Sequence, residues 1–97
     1  MFQLLFTPEA VNDLNALEKN NSQKKRLKAV KKALTYLQKN PKHPSLKTHK
    51  YSSFANYYDE PVFEAYAENN TPAAFRIFWH YGPHKNEITI ITIIAHP

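Results

Sequence analysis

A chain of 97 residues is expected to form one domain, residues 1–97, around a single modest core. It has no cysteine, no charged-then-apolar leader and no apolar run near about eighteen residues. A disulfide scaffold and a thiolate zinc site are therefore excluded, no export signal or membrane span is expected, and the expected location is cytoplasmic. Thirteen Lys and Arg against eight Asp and Glu give a formal charge of +5, which favours an anionic partner.

Phe2 to Phe6 reads as a short strand. Thr7-Pro8-Glu9 then supplies a hydroxyl cap, a proline at the first helical position and a carboxylate in the first turn. Ala10, Val11, Leu14 and Leu17 recur at helical spacing to about Lys19. Asn20-Asn21-Ser22 breaks the pattern, with Ser22 expected to cap a second helix. There Leu27, Val30, Leu34 and Leu37 form the apolar stripe until Asn40-Pro41 ends it. Two amphipathic helices joined by a short turn pair antiparallel and need a sheet face to cover.

Charge is unevenly placed. Lys19 to Lys50 holds eleven Lys or Arg and no acid, whereas the rest of the chain has two basic residues against eight acidic ones. Lys24, Lys25, Arg26, Lys28, Lys31 and Lys32 lie off the leucine stripe and are solvated. Such a face often serves only solubility. Here the positive run continues through Lys42, His43, Lys47, His49 and Lys50, which favours a phosphate backbone.

The segment 41–60 lacks periodicity and mixes these cations with Tyr51, Phe54, Tyr57 and Tyr58, a composition suited to stacking unpaired RNA bases. Packing beneath the loop is the plainer role for Phe54 and Tyr57, and Leu46 is expected to anchor the loop.

Residues 61–96 read as three strands with a turn between each pair. In the middle one, Ala73 to Tyr81, Phe75, Ile77 and Trp79 share one face, and Arg76, Phe78 and His80 share the other. Trp79 is expected in the core. Glu87 to Ile94 is β-branched at every position after Glu87 and apolar on both faces, so it is expected to be central. Arg76 is a guanidinium within an aromatic strand, costly there unless paired or open to an anion.

A strand, a helical hairpin, the loop Leu46-Lys47-Thr48-His49-Lys50-Tyr51 and a meander carrying Phe75-Arg76-Ile77 together resemble the RelE/ParE superfamily of bacterial toxins over almost the whole chain. The resemblance implies an α+β fold, βααβββ, with the helical hairpin on one face of a small, mainly antiparallel four-stranded sheet. It further implies an antitoxin as partner and, in the RelE-like branch, cleavage of mRNA in the ribosomal A site beside rRNA. Arg76 then stands where family members contact the scissile phosphate. Lys47 and His49 align with the family's basic loop, and His96 aligns with a C-terminal histidine. Glu64, in Val62-Phe63-Glu64-Ala65-Tyr66, matches a family pattern in which an Arg stands at Tyr66. The aromatic that usually follows the histidine is replaced here by Pro97.

Metal-free RNA cleavage needs a base for the 2′-hydroxyl, charge on the phosphate and an acid for the 5′-oxygen. His96 and His49 suit base or acid, with Glu64 a further base or an ion-pair partner of Arg76. Arg76 suits the phosphate, helped by Lys47 or Lys50. Lys50, Tyr51, Lys28, Lys32 and Lys42 are candidates for holding substrate. His80 shares the Arg76 face and is open to an accessory role, whereas His43 and His84 read as loop residues. With one glycine and no His-x₃-His or carboxylate cluster, no cofactor and no metal are expected. Two other functions remain open: a ParE-like gyrase poison, which needs no acid-base groups, and an inactive antitoxin-binding module.

Overall fold

The computed structural model describes residues 1–54, 59–69 and 73–96; Tyr57, Tyr58 and Pro97 lie outside these. The elements are β1 (Gln3–Phe6), α1 (Pro8–Lys19), α2 (Lys24–Lys39), β2 (His49–Lys50), β3 (Phe63–Tyr66), β4 (Phe75–Tyr81) and β5 (Glu87–Ala95), with short 3₁₀ turns at Asn21–Gln23, Pro44–Leu46 and Ser52–Phe54. They form an α+β fold in which both helices pack against a sheet of order β1-β5-β4-β3-β2. The sheet thus has five strands where four were expected. The additional one, β2, is only two residues long, too short for any periodicity to announce it.

Thr7 caps α1 as its sequence context predicts. Its Oγ1 accepts from the Ala10 amide at 3.1 Å and donates to the Ile91 carbonyl at 2.6 Å, tying the helix start to β5. Two local expectations change. Val11 is 44% exposed, and it is Ala10, Leu14 and Leu17 that meet the core. Ser22 does not cap α2. Instead Asn20 Oδ1 accepts from the Ser22 amide and hydroxyl, closing a 3₁₀ turn that runs directly into the helix. On α2, Val30, Ala33, Leu34 and Leu37 are buried, with Leu27 packed beside them.

One sheet face meets the helices through Ala65, Ile77, Trp79, Ile88, Ile90 and Ile93, and Leu46 anchors the basic loop into the same core. Across the sheet, Val62, Phe78 and Ile91 pack with Tyr51, Phe54 and Ile94. β5 serves both faces because its pairing with β4 shifts: Phe78 faces Thr92 but Trp79 faces Ile90, leaving Ile91 as an extra residue. Strict alternation would keep Ile94 with Ile88 and Ile90. The shift instead puts Ile94 opposite Arg76.

Beyond Phe6, β1 no longer covers β5. There Asp13 of α1 takes over, its Oδ2 accepting from Thr92 Oγ1 at 2.7 Å and from the Ile93 amide at 2.9 Å. The turn into β5 uses the chain's single glycine, Gly82, at φ +97°, a region that L side chains rarely adopt. No helix among the described residues is long and apolar enough to cross a membrane.

Candidate active site

The edge strand, the hairpin and the chain end converge on Glu64. In the register His49 faces Glu64 on β3, and Glu64 faces Phe78 on β4. His96 follows β5, its amide donating to the Ala74 carbonyl at 3.0 Å. Glu64 is 1% exposed and meets two imidazoles: Oε1 lies 2.7 Å from His49 Nε2, and Oε2 is hydrogen-bonded to His96 Nδ1. Both imidazole side chains are half-exposed. Glu64 therefore does not pair with Arg76, the partner open to it from sequence. The register sets Arg76 opposite Tyr66 instead.

The hydrogen-bond network assigns the tautomers. His49 Nδ1 lies 2.9 Å from the Lys47 carbonyl, which only accepts, so Nδ1 carries a hydrogen. Its other nitrogen, Nε2, faces Glu64 Oε1 at 2.7 Å. Both nitrogens of His49 are committed within the protein. His96 differs: Nδ1 donates to Glu64, leaving the Nε2 lone pair on a half-exposed ring. A carboxylate orienting one imidazole nitrogen so that the other takes a proton is the arrangement of a general-base dyad.

Arg76 is 7% exposed rather than lying in an open hollow. Its Nη1 donates to the carbonyls of Glu68 at 2.8 Å and Phe75 at 3.2 Å, and the guanidinium stacks 3.7 Å from the Tyr66 centroid. Carbonyl acceptors and an aromatic face offset the cost of burying the charge without a carboxylate. Its Nε has no partner among the described residues.

Tyr66 was legible from sequence only as a missing cation. Its role as the platform for Arg76 comes from the β3–β4 register, and Lys47 Nζ lies 5.4 Å from the same ring centroid. Lys47 sits at φ +47°, and the His49 ring is edge-on to Tyr66 at 6.2 Å.

The other candidates are dispersed. Tyr51 is half-buried, edge-on to Phe78 at 4.8 Å and to Phe54 at 5.0 Å, with its ring 6.3 Å from that of His96. It packs where a base-stacking surface was expected, because Phe78 needs an apolar cover. Lys50 is exposed and lines a small cavity with Asp59 and Glu60. Lys42 lines another with His43, Trp79 and Tyr81. Lys28 is exposed on α2, while Lys32 and Lys47 line one cavity together. His80 Nδ1 donates to the Tyr81 carbonyl at 2.8 Å.

This topology, two helices over a mixed sheet of order β1-β5-β4-β3-β2, is the RelE/ParE toxin fold. Three solved structures illustrate the likeness. The YoeB/ParE toxin from Agrobacterium tumefaciens matches with a TM-score of 0.73 at 9% identity, covering 99% of this chain and 100% of that one. The YoeB–YefM complex from Staphylococcus aureus matches at 0.70 and 20% identity, covering 100% and 99%. The archaeal RelE–RelB complex from Pyrococcus horikoshii matches at 0.65 and 11% identity, covering 97% and 93%. No protein-family model matches the chain, and no curated protein sequence does.

Proposed function

We propose that this chain is the toxin of a type II toxin–antitoxin pair and cleaves mRNA on the ribosome. The observation that carries this reading is the dyad: a buried Glu64 orients His96 with its outer nitrogen free, at the same end of the β4–β5 pair as Arg76. His96 Nε2 takes the proton of the 2′-hydroxyl as that oxygen attacks the adjacent phosphorus. The charge gathering on the phosphate oxygens is met by Lys47, with the buried Arg76 guanidinium adding its positive field from behind Tyr66. The 5′-oxygen leaves as a hydroxyl with a proton from the Lys47 ammonium, and a 2′,3′-cyclic phosphate remains. His49 supports the chemistry through Glu64. Few groups touch the reacting atoms, so orientation by the ribosome supplies much of the rate.

The partner in the uninhibited cell is the ribosome with its mRNA and rRNA. The inhibiting partner is an antitoxin whose acidic or amphipathic segment folds against this chain. The S. aureus structure, a YoeB–YefM toxin–antitoxin complex, and the P. horikoshii RelE–RelB complex support an antitoxin as partner. Gyrase poisoning uses no acid-base group and leaves the His96–Glu64–His49 chain without purpose, and so does an inactive binding module.

Induction in a bacterial host tests the reading. The expected result is growth arrest with mRNA 5′ ends mapping to ribosome-bound codons, and loss of both effects in Arg76→Ala and His96→Ala. Arrest with intact mRNA and trapped gyrase–DNA complexes would assign the gyrase branch.

A further inference from the structure

Beyond the His49–Glu64–His96 chain lies a cavity of which the proposed cleavage uses only Lys47. It opens between α2 and β3, has a volume of about 610 Å³, and is walled by Lys32, Tyr36, Lys47 and Tyr66 with Ser45 and Asn69 at its margin. The brevity of β2 creates it. β2 pairs only with Phe63 and Glu64, so among the described residues β3 has no neighbouring strand on that side at Tyr66.

Two ammonium–phenol pairs face this space. Lys32 Nζ is 5.8 Å from the Tyr36 ring centroid, one helical turn along α2, and Lys47 Nζ is 5.4 Å from that of Tyr66. The Tyr36 ring is held by parallel stacking with His43, at 4.0 Å and 9°. Tyr66 also carries the Arg76 guanidinium, so the cavity shares a wall with the cation whose field is proposed to act on the scissile phosphate. A ligand that uses two cations and two aromatic walls together is an anion joined to a flat ring. An acidic peptide would meet the ammonium groups and leave the phenol rings uncovered.

We infer that this cavity binds the nucleotide next to the scissile phosphate of a single-stranded RNA, its phosphate between Lys32 and Lys47 and its base against Tyr36. The inference deepens the nuclease reading and takes the identity of the strand from it.

The test is binding of a fluorescein-labelled, fully 2′-O-methylated single-stranded oligonucleotide, followed by anisotropy across a salt series. This RNA cannot be cleaved, so the result is independent of whether His96→Ala abolishes cleavage, and either reading can fail alone. Tyr36→Ala is expected to weaken binding about fivefold or more, and Tyr36→Phe to leave it unchanged. Lys32→Ala is expected to weaken binding and to lower the slope of log affinity against log salt by about one. Lys32→Glu, on an exposed helix position, guards against misfolding as the cause and should weaken binding further. Wild-type affinity in folded Lys32→Glu and Tyr36→Ala, or no binding by the wild type, overturns the inference. So does loss of affinity in those variants for a glutamate-rich peptide alone, which would give the cavity to a protein partner.

Discussion

Oε1 of Glu64 lies 2.7 Å from Nε2 of His49 while its other oxygen meets Nδ1 of His96, so one buried carboxylate ties the edge strand β2 to the residue beyond β5. The contact closes the open end of the sheet and leaves a single imidazole nitrogen, Nε2 of His96, available to a substrate.

Replacing this carboxylate separates its two duties. Glu64→Gln keeps the shape but offers one acceptor and one donor where two imidazoles now converge. Its mRNA cleavage is expected to fall about 10²-fold or more, measured by primer extension in a reconstituted translation reaction. Glu64→Ala should in addition lower stability by about 1–3 kcal/mol, since buried polar contacts lose their partner. A Gln variant of wild-type activity would mean that the carboxylate does not orient the base.

The two histidines should behave unequally. His96→Ala is expected to cost about 10²–10⁴ in cleavage rate with little change in Tm, because its ring is half-exposed. His49→Ala should cost less activity and more stability, since both its nitrogens hold β2 against Lys47 and Glu64. Single-turnover rates beside thermal melts make the comparison; equal rate losses would make His49 a direct participant.

Asp13 is far from His96 in sequence yet stands in its support. Its Oδ2 fastens the irregular stretch of β5 at Thr92 and Ile93, just after the extra residue Ile91 that sends Ile94 to the Arg76 face. Asp13→Ala leaves the Ile93 amide without this acceptor. The expected cost is about 1–3 kcal/mol, read in urea unfolding, together with reduced cleavage as His96 loses its fixed approach. Unchanged stability would show that the β5 irregularity holds itself.

Thr7→Ala removes both a helix cap and the hydrogen bond to the Ile91 carbonyl. Loss of the cap alone is worth about 0.5–2 kcal/mol, so calorimetry should show Tm lower by several degrees. Thr7→Ser, which keeps the hydroxyl, should recover most of it.

Periodicity made the helices, β4 and β5 legible, and α1's cap was plain in Thr7-Pro8-Glu9. The face assignment of Phe75, Ile77 and Trp79 against Arg76 and Phe78 followed from alternation alone. Val11 misled because it lies beside the stripe, where an apolar side chain looks the same in sequence whether or not a neighbour covers it. The candidates Glu64, His49 and His96 were each visible as residue types, but their mutual hydrogen bonds were not, since no local pattern encodes contacts between β2, β3 and the chain end. Arg76 was visible as an anomaly, and its burial against Tyr66 and two carbonyls was not.

Taken by itself, the order of residues determined the local elements, the crowding of positive charge between Lys19 and Lys50, and the faces of β4, because helix and strand periods are properties of neighbouring side chains. Only the tertiary structure decided which face His96 reaches and what Glu64 holds. Both depend on one extra residue in β5 and on the pairing of β2 with β3, and such long-range register emerges only when the strands are packed together.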